Sequence, residues 1–198
     1  MLGFSKINNK LTDEELVTKL AEGDQKAFSE LYHRYSERLM YYFYRMLGSS
    51  TEKAEDFLQD IFMKIIDKAV TFDPSRKFST WIFSIAHNMC KNEYRSMGVR
   101  KNSNIDELHE SVFQFESNPF EIQEVDTEQF LTDLFNELET FDEIHKTVFL
   151  LHYREDFSLK EIGQILDISE GTVKSRLFYA RKRLSERLAK YNPQNVNS

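Results

Sequence analysis

An all-α fold is predicted by three features of the sequence: scarce breakers, repeated helix-start signals, and apolar residues recurring at spacings of three and four. Only 6 Gly and 3 Pro occur in 198 residues, which leaves room for long helices and argues against a sheet built on many tight turns. A chain of this length suits two small helical domains. With 40% hydrophobic and 30% charged residues, it has the composition of an ordinary chain with a buried core.

The elements follow in order. Thr12 and Glu15 form a capping-box pattern that opens a first helix, which Gly23 ends. Asp24 is placed to cap a longer second helix through about Leu47, with Phe28, Leu31, Tyr35, Leu39, Tyr42 and Met46 on one face. Gly48-Ser49-Ser50 interrupts the pattern. A third helix, about Thr51 to Val70, carries Phe57, Leu58, Ile61, Phe62, Ile65 and Ile66 as its apolar stripe. Asp73-Pro74 marks a loop. Ser79 or Thr80 then caps a fourth helix to about Ser96, whose Ile82, Ile85, Ala86, Met89 and Cys90 face inward, and Trp81 is expected to pack in the core beside Phe83. Residues 99–126 read as an acidic linker between a domain at 1–98 and a domain at 127–198. In the second domain, Thr140 with Glu143 and Ser158 with Glu161 give two more capping-box patterns. They open helices to about Tyr153 and Leu166, and a last helix runs from about Glu170 to Lys190.

Charge is segregated along the chain. Between Ser103 and Phe130 there is no Lys or Arg, but there are eight acids: Asp106, Glu107, Glu110, Glu116, Glu121, Glu124, Asp126 and Glu128. Between Thr172 and Lys190, Lys174, Arg176, Arg181, Lys182, Arg183, Arg187 and Lys190 face the single acid Glu186. Such segregation points to different partners for different segments. The net charge of −7 weighs against a general DNA-coating protein.

No stretch approaches the roughly 18 apolar residues of a membrane span, and Met1 to Lys10 lacks the apolar region of a secretory signal. Cys90, the lone cysteine, rules out an intrachain disulfide and suits a reducing compartment. A cytoplasmic protein without membrane insertion is expected. There is no phosphate-binding glycine loop, zinc-ligand spacing or catalytic-triad signature, and the five histidines are scattered. Neither an enzyme, a cofactor nor a metal is expected.

The segment SLKEIGQILDISEGTVKSRLFYARKR, Ser158 to Arg183, has helix-turn-helix form. Ile162, Ile165 and Leu166 give the first helix a buried face, Gly163 is small where two helices cross, Ile168 plugs the turn, and Val173 and Leu177 anchor the second helix. Thr172, Lys174, Ser175, Arg176, Phe178 and Tyr179 are left for flanking packing and the exposed face. A helix of this size fits the major groove, where arginine binds guanine through two hydrogen bonds, and the following cations, Arg183 among them, meet phosphates.

Two further segments complete a pattern. AEDFLQDIFMKII, Ala54 to Ile66, and KFSTWIFSIAHNMCKNEYR, Lys77 to Arg95, resemble the second conserved region of sigma-70 family factors. The helix-turn-helix with EGTVKSRL resembles their fourth region. With two domains and a short tether, the chain is similar to the compact extracytoplasmic-function group. The resemblance implies a factor that directs core RNA polymerase to promoter DNA and promotes its opening. It implies that Glu55, Asp56, Gln59 and Asp60 dock on a coiled coil of the largest polymerase subunit. It implies that Phe72, Asn88 and Asn92 hold or contact a flipped base, with Lys91 and Arg95 on phosphates; aromatic stacking and amide pairing suit that task. Lys174, Ser175 and Phe178 match positions that read the farther upstream promoter element, and Arg176 belongs to the same motif. Tyr179 departs from a close family pattern that has Arg there, and His152 stands where some members place a basic residue on DNA. The resemblance further implies that the acidic linker threads polymerase channels that nucleic acid later occupies. Many relatives have an anti-sigma protein, which adds that class of partner. The rival reading is a stand-alone regulator, with a palindromic operator and the N-terminal helices as a sensor or dimerisation module.

Overall fold

The computed structural model describes residues 11–98 and 127–191, and the acidic linker expected at 99–126 lies outside them. The described residues form eight α-helices: α1 (Asp13–Ala21), α2 (Gln25–Met46), α3 (Thr51–Lys68), α4 (Phe78–Ser96), α5 (Thr127–Glu139), α6 (Glu143–Tyr153), α7 (Leu159–Leu166) and α8 (Glu170–Arg187). Single 3-10 turns follow α3 at Ala69–Thr71 and α8 at Ala189–Tyr191. Helices α1–α4 make one group and α5–α8 the other, as the sequence predicts for an all-α chain with a C-terminal helix-turn-helix.

Local chemistry sets most of the boundaries. The Thr12–Glu15 capping box forms in both directions, and the Asp24 carboxylate accepts from the N–H groups of Lys26 and Ala27. Asp13 ties α1 to α2, pairing with Arg34 at 2.6 Å and accepting from the Tyr35 hydroxyl. Along α2, Leu31, Tyr35, Leu39, Tyr42 and Met46 are buried. In α3 the inward face is Ala54, Ile61, Phe62 and Ile65, while Ile66 is 43% exposed rather than in the core. Its place on the helix falls at the edge of the buried stripe.

Two starts differ from the sequence reading for different reasons. Neither Ser79 nor Thr80 caps α4. The helix begins at Phe78, whose N–H donates at 2.9 Å to the Glu14 carboxylate of α1, a cap supplied from across the fold. Nor do Thr140 and Glu143 form a box. Asp142 caps α6 by accepting from the His145 N–H, and the ionised carboxylate is the stronger acceptor. The Thr140 hydroxyl instead donates to the Glu137 carbonyl at the end of α5.

The two groups pack on each other. One continuous apolar core joins Ile82, Phe83, Ala86 and Cys90 of α4 to Val148 and Leu151 of α6, Ile162 and Ile165 of α7, and Leu177 of α8. Phe83 meets Phe157 edge-on at 5.1 Å. The Lys146 ammonium, 5% exposed, donates to the Arg45 carbonyl at 3.1 Å and pairs with Glu139 at 2.7 Å, so its buried charge is compensated. A smaller core of Phe130, Leu138, Phe141, Phe149, Ala180, Leu184 and Leu188 holds α5 and α6 to α8. Among the described residues, no helix is long and apolar enough to cross a membrane.

Candidate nucleic-acid interface

The helix-turn-helix is built as its residues dictate. Ser158 and Glu161 form a complete capping box at the start of α7. Asp167 ends that helix in the left-handed region at φ 55°, which its short polar side chain tolerates. Ile162, Gly163 and Ile165 are buried, and Val173 and Leu177 anchor α8. A Cβ on Gly163 would lie 2.9 Å from the Ile168 carbonyl oxygen, so only glycine lets the turn close this tightly. Ser169 caps α8, accepting from the Thr172 N–H at 3.1 Å, and its hydroxyl also bonds that of Thr172 at 2.9 Å.

Thr172, Lys174, Ser175, Arg176, Phe178 and Tyr179 are half-buried along α8. The Phe178 and Tyr179 rings contact edge-on at 5.6 Å. Arg183 is engaged inside its own domain. It donates to the Thr140 hydroxyl at 2.7 Å, lies 3.6 Å from Glu137, and stacks over Phe141 at 4.3 Å. In this structure it braces the α5–α6 corner. His152 is likewise turned inward, its Nδ1 3.1 Å from the Phe157 carbonyl.

On α4 the spacing of Asn88, Lys91, Asn92 and Arg95 puts them on one face, and all four are exposed. Three contacts fix the azimuth of that face. Lys53 of α3 pairs with Glu93 at 3.0 Å, the Tyr94 hydroxyl donates to the Met46 carbonyl, and Glu14 holds the helix start. Phe72, expected beside a flipped base, is 8% exposed. Its ring lies 5.9 Å from Phe78 and 5.1 Å from Trp81, a packed aromatic cluster at the N-terminal end of α4. Trp81 packs against the core through this cluster, with Phe78 and Phe72 as its ring partners in place of the expected Phe83.

Electrostatics couple this face to the second domain. Burial raises the pKa of Glu143 on α6, and Lys91 and Arg95 offset part of that rise. His87, one turn before Lys91, is pushed down to about 4, first by burial and then by the positive charges of Lys91 and Arg176. The positive charge of Arg176 on α8 is thus felt at α4.

Glu55, Asp56, Gln59 and Asp60 are exposed on α3. The sequence reading missed what continues them. Met63, Ile66 and Val70 are 61%, 43% and 76% exposed and prolong the same strip at spacings of three and four. The signal was present in the spacing from Gln59 onward, but Ile66 read as part of the buried stripe and Met63 and Val70 were given no role.

Two family models match the chain: Sigma-70 region 2 over residues 31–99 and Sigma-70, region 4 over residues 136–184. The ECF RNA polymerase sigma-E factor of Haemophilus influenzae is 33% identical over 187 residues, covering 90% of this chain and 96% of that one. The ECF RNA polymerase sigma factor SigW of Bacillus subtilis is 32% identical over 182 residues, with coverage of 87% and 94%. Among solved structures, CnrH in complex with the cytosolic domain of CnrY shares the fold at a TM-score of 0.66 and 24% identity, covering 90% of this chain and 97% of CnrH. The sigma factor RpoE of Bartonella quintana, in complex with the anti-sigma factor NepR, matches at a TM-score of 0.62 and 26% identity, covering 83% and 98%. With two family regions in order and relatives matched almost end to end, the chain belongs to the sigma-70 family of RNA polymerase sigma factors, in its extracytoplasmic-function (ECF) group.

Proposed function

We propose that this chain directs core RNA polymerase to specific promoters and helps to open the DNA there, with each domain reading one promoter element. The first domain, near residues 1–98, docks on polymerase through the exposed α3 strip, where Glu55, Asp56, Gln59 and Asp60 supply charge and amides. Its α4 face captures bases of the separated strand. Asn88 and Asn92 pair with base edges, Lys91 and Arg95 meet phosphates, and Phe72 closes the aromatic end of the site. The second domain, from about residue 127, places α8 in the major groove. There Thr172, Lys174, Ser175, Arg176, Phe178 and Tyr179 face the duplex, and Arg183 meets phosphate once freed from its corner.

The observation that carries this reading is the α4 face: two amides and two cations exposed on one side of a helix whose own azimuth is fixed by three contacts. DNA opening on this scheme draws on binding energy, and polymerase supplies the chemistry. The Bartonella relative is bound by an anti-sigma factor, and a partner of that class is proposed here as well.

The test is run-off transcription by purified core polymerase on promoter fragments, with and without this protein. Start-site-specific transcripts are expected only with it, and Asp56→Lys should abolish them by blocking assembly. Start sites that do not change on adding the protein would rule the proposal out.

A further inference from the structure

The cations at the end of α8 are met by carboxylates of α5, a neighbour within the same domain. Arg183 and Arg187 both approach Oε1 of Glu137 through Nε, at 3.6 Å and 3.8 Å. Lys190, on the turn after α8, pairs with Asp133 at 2.6 Å. That carboxylate also accepts from the Tyr191 hydroxyl at 2.7 Å and from the Gln129 amide at 2.9 Å. The cations keep much of their surface: the side chains of Arg183, Arg187 and Lys190 are 42%, 68% and 64% exposed. The acids beneath them, Glu137 and Asp133, are only 19% and 22% exposed. Three positive charges thus overlie two negative ones and still face water.

The Glu137 contacts differ from those of a structural ion pair. Both lie beyond hydrogen-bond length, and one carboxylate oxygen serves two arginines. The contrast is Arg38 of α2, which donates through Nε to Glu155 at 2.7 Å while the Glu155 side chain is 2% exposed. A buried pair of that kind fixes one geometry and is costly to break on one side. Loose pairs in water contribute little and are readily exchanged for a better anion. Nor do the charges have to join the helices, because Leu138, Ala180, Leu184 and Leu188 already pack α5 on α8.

Position on the helix names the anion. Arg176, Tyr179, Arg183 and Arg187 recur at spacings of three and four, a stripe that Lys190 continues. From Arg176 to Arg187 the helix rises about 16 Å. A helix whose first turns lie in a major groove about 12 Å wide carries its later turns out over a phosphate wall. A phosphate there offers each guanidinium its own pair of oxygens, which a shared carboxylate oxygen does not.

We propose that Arg183, Arg187 and Lys190 form a phosphate-binding ridge for the duplex flanking the element read by the first half of α8, and that Glu137 and Asp133 stand in for those phosphates in the free protein and set how tightly they are held. This rests on the assignment of α8 as the duplex-reading helix, so the experiment reads that assignment separately.

Full-length protein assembled with core polymerase is titrated against duplex promoter fragments over a series of salt concentrations. Arg187→Gln combined with Lys190→Gln should weaken binding to every fragment alike, severalfold, and flatten the dependence of log K on log salt by up to about 2. Glu137→Gln, neutral and of the same shape, should do the reverse, tightening binding severalfold and steepening that dependence. Tail variants that leave the salt dependence unchanged, or a Glu137→Gln protein that binds no more tightly, would overturn the ridge. So would a loss of affinity for core polymerase with DNA binding unaltered, which would assign these cations to a protein partner. Should Glu137→Gln lose its cooperative helical melt, Asp133→Asn takes its place and must tighten binding in the same way. Lys174→Ala, measured in parallel, separates the two levels. If it too leaves DNA binding untouched, α8 is not the duplex-reading helix; if it alone weakens binding, only the ridge fails.

Discussion

Gly163→Ala isolates one close approach in the helix-turn-helix. The added methyl carbon would sit 2.9 Å from the Ile168 carbonyl oxygen, which is main chain and cannot rotate away. The Ile168 N–H donates to the Gly163 carbonyl at 3.0 Å, so relief by moving the turn strains that bond as well. Overpacking of this sort costs about 1–3 kcal/mol, and the better helix propensity of alanine returns up to ~1 kcal/mol. A net loss of about 1–2 kcal/mol is expected. Gly171→Ala is the matched control. Its methyl would find only the Ser169 hydroxyl, at an ordinary 3.8 Å, so it should gain about 0.5–1 kcal/mol. With a urea slope of about 2 kcal/mol/M, the two unfolding midpoints should differ by roughly 1 M, one on each side of the parent. The assay is urea titration followed by helical circular dichroism. Equal midpoints for the two variants, or a more stable Gly163→Ala, would refute the close-approach argument.

Three further outcomes are expected. The folded pKa of His87, about 4, lies below its ordinary 6.5, so the unfolded chain takes up the proton first. Stability is therefore complete above pH 6.5 and falls as pH drops toward 4, by up to about 3 kcal/mol. Glu143, with its pKa raised, acts in the opposite sense, so the imidazole is isolated by comparing pH–stability curves of the parent and His87→Gln, which should be flatter across that window. Asn88→Ala should leave initial promoter binding by the polymerase complex nearly unchanged but cut permanganate reactivity of unpaired thymines severalfold, and a pre-melted bubble should restore transcription. Lys174→Ala should weaken binding chiefly to promoter fragments that carry the base it reads; a uniform loss across all fragments, with a salt slope reduced by about 1, would mean that Lys174 meets phosphate instead.

Legibility of the fold followed the range of the interactions. The Thr12–Glu15 and Ser158–Glu161 boxes and the Asp24 cap span three residues or fewer, and each was visible in the sequence. The α4 start was not, because its acceptor, Glu14, lies 64 positions away. Thr140 was misassigned because the pattern admits two acceptors before α6 and charge favours Asp142. The amide–cation face of α4 was legible from helical spacing alone. The inward turn of Arg183 was not, since its partners Glu137, Thr140 and Phe141 belong to other elements. The same holds for Arg38 and Glu155, which are 117 positions apart and carry no local signature as a pair.

The borrowed cap of α4 makes the amino-terminal helix a mechanical reference for the face proposed to capture the opened strand. Glu14 grips the first free N–H of α4 while Asp13, its neighbour in sequence, is clasped by Arg34 and Tyr35. Two consecutive carboxylates thus bolt three helices together, and a displacement of α1 feeds directly into the rotation of the Asn88–Asn92 face. Removing α1 should therefore blunt the proposed strand capture at a distance, even with Asn88, Lys91, Asn92 and Arg95 all still in place.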